Sequence, residues 1–305
     1  MPVHTLGELN LKAPPGKRLV VLGDPIEHSL SPVMHNAALA KMAESAPDFI
    51  DWRYEAVHVP ARDLKMALPL LHEAGVVGIN LTIPHKVDVL EIIEEIDETA
   101  RSMGAVNTLI RTDAGYRGSN TDGYGILKGL EASHGTSVEG KDVWLFGAGG
   151  AARGILVAVL QSGARRVTVL NRSTGRLREL EAGLSAQSLP GLERVRFCPL
   201  ADHPDDPEAN AILLNATSLG LKAEDPSPIP ESLIDSEKVV YDTTYGTFNR
   251  LAELCRARRA AYADGLSMLI WQGVRSLEIW TGQTVPAESM RKAVEDEMNR
   301  RKANG

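Results

Sequence analysis

Cysteine is scarce in this chain: Cys198 and Cys255 are the only two in 305 residues, and their separation fits neither a metal site nor a redox pair. That excludes a disulfide scaffold, and both are expected as free thiols in a reducing compartment. Long hydrophobic runs are missing as well. No apolar stretch approaches the length of a membrane span, and no signal peptide is read at the start. A cytoplasmic protein with no membrane partner is expected. Basic charge is also in short supply, with Lys plus Arg at 33 against Asp plus Glu at 40 and a net charge of −7. A phosphate backbone needs a basic stripe, so no nucleic-acid partner is expected. The basic runs Arg256 to Arg259 and Arg300 to Lys302 read as solvated helix ends. There is no internal repeat and no low-complexity segment.

What is present is an ordinary globular composition, 43% hydrophobic and 24% charged, long enough for one large domain or two ordinary ones. The first sixteen residues, ending in Ala13-Pro14-Pro15-Gly16, read as an extension ahead of the first strand. Strands are predicted at Arg18 to Gly23, Tyr54 to Val59, Ala74 to Ile79 and Met103 to Arg111. Helices are predicted at Val33 to Ala43, at Arg62 to Glu73, and from Val87 on the pattern Val87, Leu90, Ile93, Ile96. This alternation points to an α/β layer with a mainly parallel sheet. A second α/β unit begins near Asn120. Its strands are read at Asp142 to Phe146, Arg166 to Leu170, Val195 to Cys198, Ala211 to Ala216 and Val239 to Thr243, with an apolar helix over Ala151 to Gln161. That is the pattern of a doubly wound nucleotide-binding domain. From Ser267 onward the chain reads as helix, expected to fold back onto the first domain. The domains are then 1–119 completed by 266–305, and 120–265.

The glycine turn Gly147-Ala148-Gly149-Gly150-Ala151 stands between a strand and an apolar helix, the context a dinucleotide fingerprint requires. Glycine lets backbone N–H groups approach a pyrophosphate, and the helix N-terminus favours the anion. After the next strand an NAD site usually carries Asp or Glu for the ribose hydroxyl. Here Asn171-Arg172-Ser173 and Arg176 stand instead. A neutral amide and two guanidinium groups suit a 2′-phosphate, which favours NADP over NAD.

Polar residues collect at the strand ends of the first unit. Asn80-Leu81-Thr82-Ile83-Pro84-His85-Lys86 follows an apolar strand, and Pro84 ends it, leaving Lys86 at a strand-to-helix corner. Asn80 and Thr82 share one side of the extended segment. Ser31-Pro32 reads as an N-cap and N1 pair, whereas Ser29 has no such local explanation and can face a small polyhydroxy anion. Asn107 is read as lying mid-strand among apolar neighbours, where it needs a partner or a ligand. Asp122 is read as a helix cap or a functional carboxylate, and Gln272 falls on the first turns of the late helix. His28, His35 and His85 make no metal spacing, are read as polar loop or helix residues, and leave no metal site expected.

Taken in order, the blocks GDPxxHSLSPxxHN, NxTIPHK, GAVNT, NTDGxG, GAGGAAR, NR[ST], NATSxG, YDxxY and DGLxMLxxQ resemble the shikimate dehydrogenases over about Leu19 to Pro286. The resemblance implies a substrate domain and a Rossmann NADP domain, and reversible NADP-linked reduction of 3-dehydroshikimate to shikimate in aromatic amino acid biosynthesis. It implies Lys86 and Asp122 as the catalytic pair. Ser29, Ser31, Thr82, Lys86, Asn107, Asp122, Tyr245 and Gln272 would contact the substrate. Gly147, Ala148, Gly149, Gly150 and Ala151 would hold the pyrophosphate, and Asn171, Arg172, Ser173 and Arg176 the adenosine phosphate. Thr217, Gly265 and Met268 would lie along the cofactor. Small molecules are the implied ligands, for a monomer or homodimer.

Reducing a ketone needs hydride and a proton for the oxygen, and a lysine ammonium can supply the latter. Oxidation returns that proton to the lysine, so it is expected to gain at alkaline pH. The chain departs from the family pattern at Ser119, at Thr243-Thr244 and in Gly246-Thr247-Phe248-Asn249-Arg250, where relatives usually carry a proline-containing loop. Two other readings share these blocks: a quinate/shikimate dehydrogenase using NAD, and a non-catalytic NADPH-binding regulator. Arg172 and Arg176 argue against the first, and Lys86 with Asp122 against the second.

Overall fold

The computed structural model describes residues 3–8, 17–204, 207–222, 224–246 and 249–304. The chain divides into two compact units, Met1–Thr121 with Ile270–Gly305, and Asp122–Leu269. Each is an α/β layer built on its own six-stranded sheet. Among the described residues no helix is long and apolar enough to cross a membrane.

The first unit runs β1 (Val3–Thr5), β2 (Arg18–Gly23), α1 (Ser31–Ala43), β3 (Arg53–His58), α2 (Leu64–Glu73), β4 (Val76–Leu81), α3 (His85–Asp88), α4 (Glu98–Met103), β5 (Thr108–Arg111) and β6 (Tyr116–Ser119). The sheet order is β1-β3-β2-β4-β5-β6, parallel through β4 and antiparallel beyond it. β2 is buried along its whole length, which is why it reads as a continuous apolar run from Leu19 to Leu22 after Arg18. Val20, Leu22, Val57, Leu64, Leu71, Ile79, Leu81 and Val106 form the core on one side of this sheet. Each such side chain is worth about 1.5–3 kcal/mol of burial.

The second unit runs α5 (Asp122–His134), β7 (Asp142–Phe146), α6 (Gly150–Gln161), β8 (Arg166–Asn171), α7 (Thr174–Ala186), β9 (Val195–Pro199), β10 (Ile212–Asn215), β11 (Val239–Asp242), α8 (Arg250–Arg258) and β12 (Ala261–Ala263). Its strands are all parallel, in the order β12-β11-β10-β7-β8-β9. This is the doubly wound order, and it reverses between β7 and β10, the point at which such sheets bind ligands. Two helices close the chain, α9 (Leu266–Thr281) and α10 (Ala287–Asn304). α10 packs on α1 of the first unit. α9 covers that unit's sheet closely: a Cβ on Gly78 would fall 2.4 Å from the Trp280 ring, whose Nε1 donates to the Leu109 carbonyl at 2.9 Å.

The structure corrects four local expectations. Val3–Thr5 is already a strand, paired parallel with β3, so the sheet starts before Arg18; Ala13 to Gly16 lie outside the described residues. No long helix follows Val87. α3 gives way to a 3-10 turn at Val89–Glu91, because Val87, Leu90, Ile93 and Ile96 recur strictly every third residue, the 3-10 period rather than 3.6. Asn107 precedes β5 instead of lying within it. Ser31 is the first residue of α1 with Leu30 at the cap position, and no side chain caps the helix.

His35 on α1 is fully buried. Its ring centroid lies 4.1 Å from that of Tyr54 and 6.0 Å from that of Trp280, and neither ring nitrogen has a hydrogen-bond partner among the described residues. Burial pushes its pKa down to about 3. Between pH 6.5 and that value the unfolded chain takes up a proton here that the folded chain refuses, so stability falls as pH drops through this window. Urea midpoints measured from about pH 7 to pH 4 are expected to decline less steeply for His35→Leu than for the wild type. Parallel declines would remove His35 as a source of acid sensitivity.

Candidate active site

In the first unit the candidate residues gather at the carboxyl ends of β2 and β4 and just ahead of β5. Backbone bonds stitch these loops together. The Thr82 N–H donates to the Leu22 carbonyl at 3.0 Å, the Asp24 N–H to the Ile83 carbonyl at 3.1 Å, and the Leu81 N–H to the Asn107 carbonyl at 2.9 Å. Gly23 permits the approach, since a Cβ there would fall 2.6 Å from the Thr82 methyl. The corner that carries Lys86 is anchored from both sides. The buried His85 bonds the Val59 carbonyl through Nε2 at 2.8 Å, and the Lys86 carbonyl accepts the Val106 N–H at 2.8 Å. His85, the first residue of α3, is thus a strut for the lysine corner. Lys86 itself is half-buried. Ser29 acquires a local role, its hydroxyl accepting from the Ser31 N–H at 3.3 Å.

Beneath these loops lies a buried polar cluster. The Asn107 Oδ1 accepts from the Thr121 N–H and from the Thr108 hydroxyl, both at 2.8 Å. Its Nδ2 donates to Thr121 Oγ1 at 2.9 Å and reaches Gln272 Oε1 at 3.5 Å. Asn80 Nδ2 faces the Asn107 carbonyl at 3.0 Å, Ser276 Oγ at 3.1 Å and Thr108 Oγ1 at 3.2 Å. Asn107 and Gln272, 165 residues apart in sequence, are therefore brought together. Sequence reading singled out Asn80 without giving it a ligand role, quoted Thr108 and Thr121 within their blocks without assigning them one, and passed over Ser276. Ser276 was recoverable, because it stands four residues after Gln272 and shares its helix face. A larger cavity of about 470 Å³ in this unit, lined by Leu68, His72, Ile93 and Tyr116 among others, surrounds the opposite end of β4 and holds none of the candidate residues.

In the second unit a cavity of about 280 Å³ opens at the switch point between β7 and β10. It is lined by Gly147 to Gly149, by Asn171, Arg172 and Arg176, and by Ala216 to Leu219, with Pro226 to Pro228 on its rim. Gly147 has φ +126°, and a Cβ on it would fall 2.9 Å from the Ala216 carbonyl oxygen, so only glycine lets the turn lie against this loop. α6 then starts at Gly150 with no side-chain cap, and open space surrounds Gly149 and Gly150. Uncapped N–H groups facing open space suit a pyrophosphate. At the end of β8, among the described residues, no carboxylate lines the cavity, and two guanidinium side chains do. The residues present therefore fit NADP. Ser173 caps α7, its Oγ accepting from the Arg176 N–H at 3.3 Å. Ala151 follows in α6.

Gly265 and Met268 fall outside that cavity lining. A Cβ on Gly265 would fall 2.2 Å from the Thr243 carbonyl oxygen, and the Met268 N–H donates to the Tyr241 hydroxyl at 2.9 Å. Tyr245 is exposed after β11, and Asp122 opens α5, half-buried. Thr247 and Phe248 lie outside the described residues.

The loop beside the cavity is held by a buried carboxylate that the sequence showed within the YDxxY block without indicating its role. Asp242, 0% exposed, accepts from Asn215 Nδ2 at 2.8 Å, the Thr244 N–H at 3.0 Å and Asn249 Nδ2 at 2.9 Å. Asn215 Oδ1 in turn accepts from the Thr217 N–H at 2.9 Å and its hydroxyl at 2.8 Å. Asp242→Ala would strand three buried donors, each costing about 1–3 kcal/mol. A loss of at least about 3 kcal/mol in urea unfolding is expected. An unchanged midpoint would show that water satisfies those donors.

The chain matches the model of the shikimate dehydrogenase substrate binding domain over residues 21–109, and that of the shikimate 5'-dehydrogenase C-terminal domain over residues 265–295. It is 39% identical to the shikimate dehydrogenase (NADP(+)) of Methanothrix thermoacetophila, over 93% of this chain and 98% of that one. Among solved structures, a shikimate dehydrogenase in complex with NADP+ aligns with a TM-score of 0.83 and 30% identity, over 93% of this chain and 96% of the other. The Thermus thermophilus enzyme, in complex with NADP(H) and shikimate, aligns with a TM-score of 0.76 and 32% identity, over 92% and 99% of the two chains. Two α/β units, a polar cluster at the strand ends of one and an arginine-lined glycine-turn cavity in the other, thus meet full-length similarity in sequence and in structure: the chain belongs to the shikimate dehydrogenase family.

Proposed function

We propose that this protein catalyses the reversible, NADP-linked reduction of 3-dehydroshikimate to shikimate. The observation that carries the reading is the cluster of Asn80, Asn107, Thr121 and Gln272 beneath the anchored Lys86 corner, a set of amides and hydroxyls suited to a small polyhydroxy acid. Residues 1–119 with 266–305 serve as the substrate domain and 120–265 as the NADP domain. Ser29, Ser31, Thr82, Asn107, Tyr245 and Gln272 bind the substrate's carboxylate and hydroxyls. Lys86 delivers a proton to the carbonyl oxygen, and Asp122 is its carboxylate partner in catalysis. Bound NADPH supplies the hydride. Gly147 to Ala151 hold the pyrophosphate, Asn171, Arg172, Ser173 and Arg176 the 2′-phosphate end, and Thr217, Gly265 and Met268 the rest of the cofactor. The enzyme works in the cytoplasm, a reading supported by its two buried free thiols, as a monomer or homodimer.

The test is a steady-state assay of shikimate and of quinate, each with NADP and with NAD. Turnover confined to shikimate with NADP is the expected result. Comparable turnover with quinate or NAD would move the protein to the broader quinate/shikimate class. NADPH binding without turnover in any pair would make it a regulator.

A further inference from the structure

Tyr241, the first residue of the YDxxY block, has no part in the proposed reaction, yet the turn that opens α9 lies hard against its strand. A Cβ on Gly265 would fall 2.2 Å from the Thr243 carbonyl oxygen, and the Gly265 N–H donates to the Thr244 carbonyl at 2.9 Å. Gly265 is the residue before α9, and its carbonyl accepts the Leu269 N–H at 3.0 Å. That is the cap position, where a serine or aspartate side chain would bond an N–H two or three residues on. The close approach to Thr243 leaves room only for glycine, which has no side chain to cap with.

A residue of the strand caps the helix instead. Tyr241 on β11 is 0% exposed, and its hydroxyl accepts the Met268 N–H, third in the helix, at 2.9 Å. α5 makes space for that bond: a Cβ on Gly129 would fall 2.5 Å from the Tyr241 hydroxyl and 3.0 Å from the Met268 nitrogen. The Leu266 N–H is taken by Asp264 Oδ1 at 3.1 Å. Asp242, next on β11, points to the other face of the sheet and holds Thr217 through Asn215. One strand end thus fixes both of the segments, around Thr217 and from Gly265 to Met268, assigned to the cofactor beyond its phosphates.

We propose that Tyr241 is a positioning residue for the nicotinamide end of the cofactor, its phenol capping α9 in place of a cap side chain and holding Met268 where the cofactor meets it. This rests on the reading of Gly265 and Met268 as cofactor contacts. Loss of the phenol oxygen takes that acceptor from the Met268 N–H, and the first turn of α9 loosens. The 2′-phosphate end is held elsewhere, by Arg172 and Arg176 after β8, and is not disturbed.

The test measures two ligands on the purified protein: NADPH by its fluorescence, and adenosine 2′,5′-bisphosphate, which lacks the nicotinamide, by calorimetry. Tyr241→Phe keeps the ring and removes only the oxygen. Its NADPH dissociation constant is expected to rise about three- to tenfold, the loss of one ordinary hydrogen bond, while that of the bisphosphate stays within about twofold. Gly129→Ala presses on the same bond from α5 and is expected to give the same pattern, so the test survives if Tyr241→Phe does not fold. Met268→Ala is expected to weaken NADPH alone as well, and adding Tyr241→Phe to it should cost little more. Normal NADPH binding in Tyr241→Phe or Gly129→Ala, beside weakened binding in Met268→Ala, would overturn the proposal and leave the proposed function standing. Equal weakening of both ligands in Tyr241→Phe would overturn it too, by showing that the phenol supports the unit as a whole. Normal NADPH binding in Met268→Ala would remove Met268 from the cofactor site and the role of Tyr241 with it, while NADP-linked turnover of shikimate tests the proposed function separately.

Discussion

Lys86→Ala is expected to lower turnover by a factor of about 10² to 10⁴, the range that a positioned general acid contributes. The KM for shikimate should rise only severalfold. The reasoning starts from what the substitution leaves intact. The corner is held by the backbone and by His85, through the His85–Val59 bond and the Val106 N–H on the Lys86 carbonyl. None of these uses the lysine side chain. The Asn80–Asn107–Gln272 cluster is likewise independent of it in every hydrogen bond described above. Ground-state binding by that cluster should therefore persist, while proton delivery to the developing alkoxide is lost. An interaction made chiefly in the transition state lowers kcat and kcat/KM together. Single-turnover measurement with shikimate and NADP is the check, because it isolates chemistry from product release. Near-normal turnover in Lys86→Ala would take the lysine out of the mechanism. A large rise in KM with normal kcat would make it a binding residue instead.

The doubly wound unit was legible in sequence because its strands are parallel and buried on both faces. Runs such as Asp142–Phe146 therefore stand out without any need for alternation. The glycine turn and the end of β8 were legible for a related reason: backbone approach and charge are written directly into residue type. β1, β6 and β12 were not, since strands of three or four residues at or near a sheet edge carry too few positions for a period to show. The candidate substrate cluster was half legible. Asn107 announced itself as a polar residue in an apolar run, but its partners Thr121 and Gln272 are 14 and 165 residues away. No local rule links them. Ser31 shows the opposite failure, where a local rule was available and misled. Ser31-Pro32 matches a capping pair, yet Ser31 is itself the first residue of α1, Leu30 takes the cap position, and among the described residues no side chain caps the helix.

Replacing both Arg172 and Arg176 by alanine is expected to raise the KM for NADP about 10²-fold or more while changing the KM for NAD little. The two residues flank the start of α7. Asn171 ends β8 and donates through Nδ2 to the Ser173 carbonyl at 3.1 Å, and the Ser173 hydroxyl takes the Arg176 N–H. This short, self-bonded turn brings both guanidinium groups to one cavity with Gly147 to Gly149. A hydrogen bond to a charged partner contributes about 1.5–3 kcal/mol. Both arginines are exposed, so the lower figure applies to each, and two such bonds give a factor of about 10² or slightly more. NAD lacks the phosphate and has nothing to lose at this corner, so the cofactor preference collapses and no new one is gained. Exposure also makes the preference sensitive to salt. In the wild type the ratio of kcat/KM for NADP over NAD should fall as ionic strength rises, and in the double variant it should be flat. An unchanged KM for NADP in the double variant would mean that other groups bind the phosphate. The absence of a carboxylate at the end of β8 would then be permissive for NADP rather than the source of the preference.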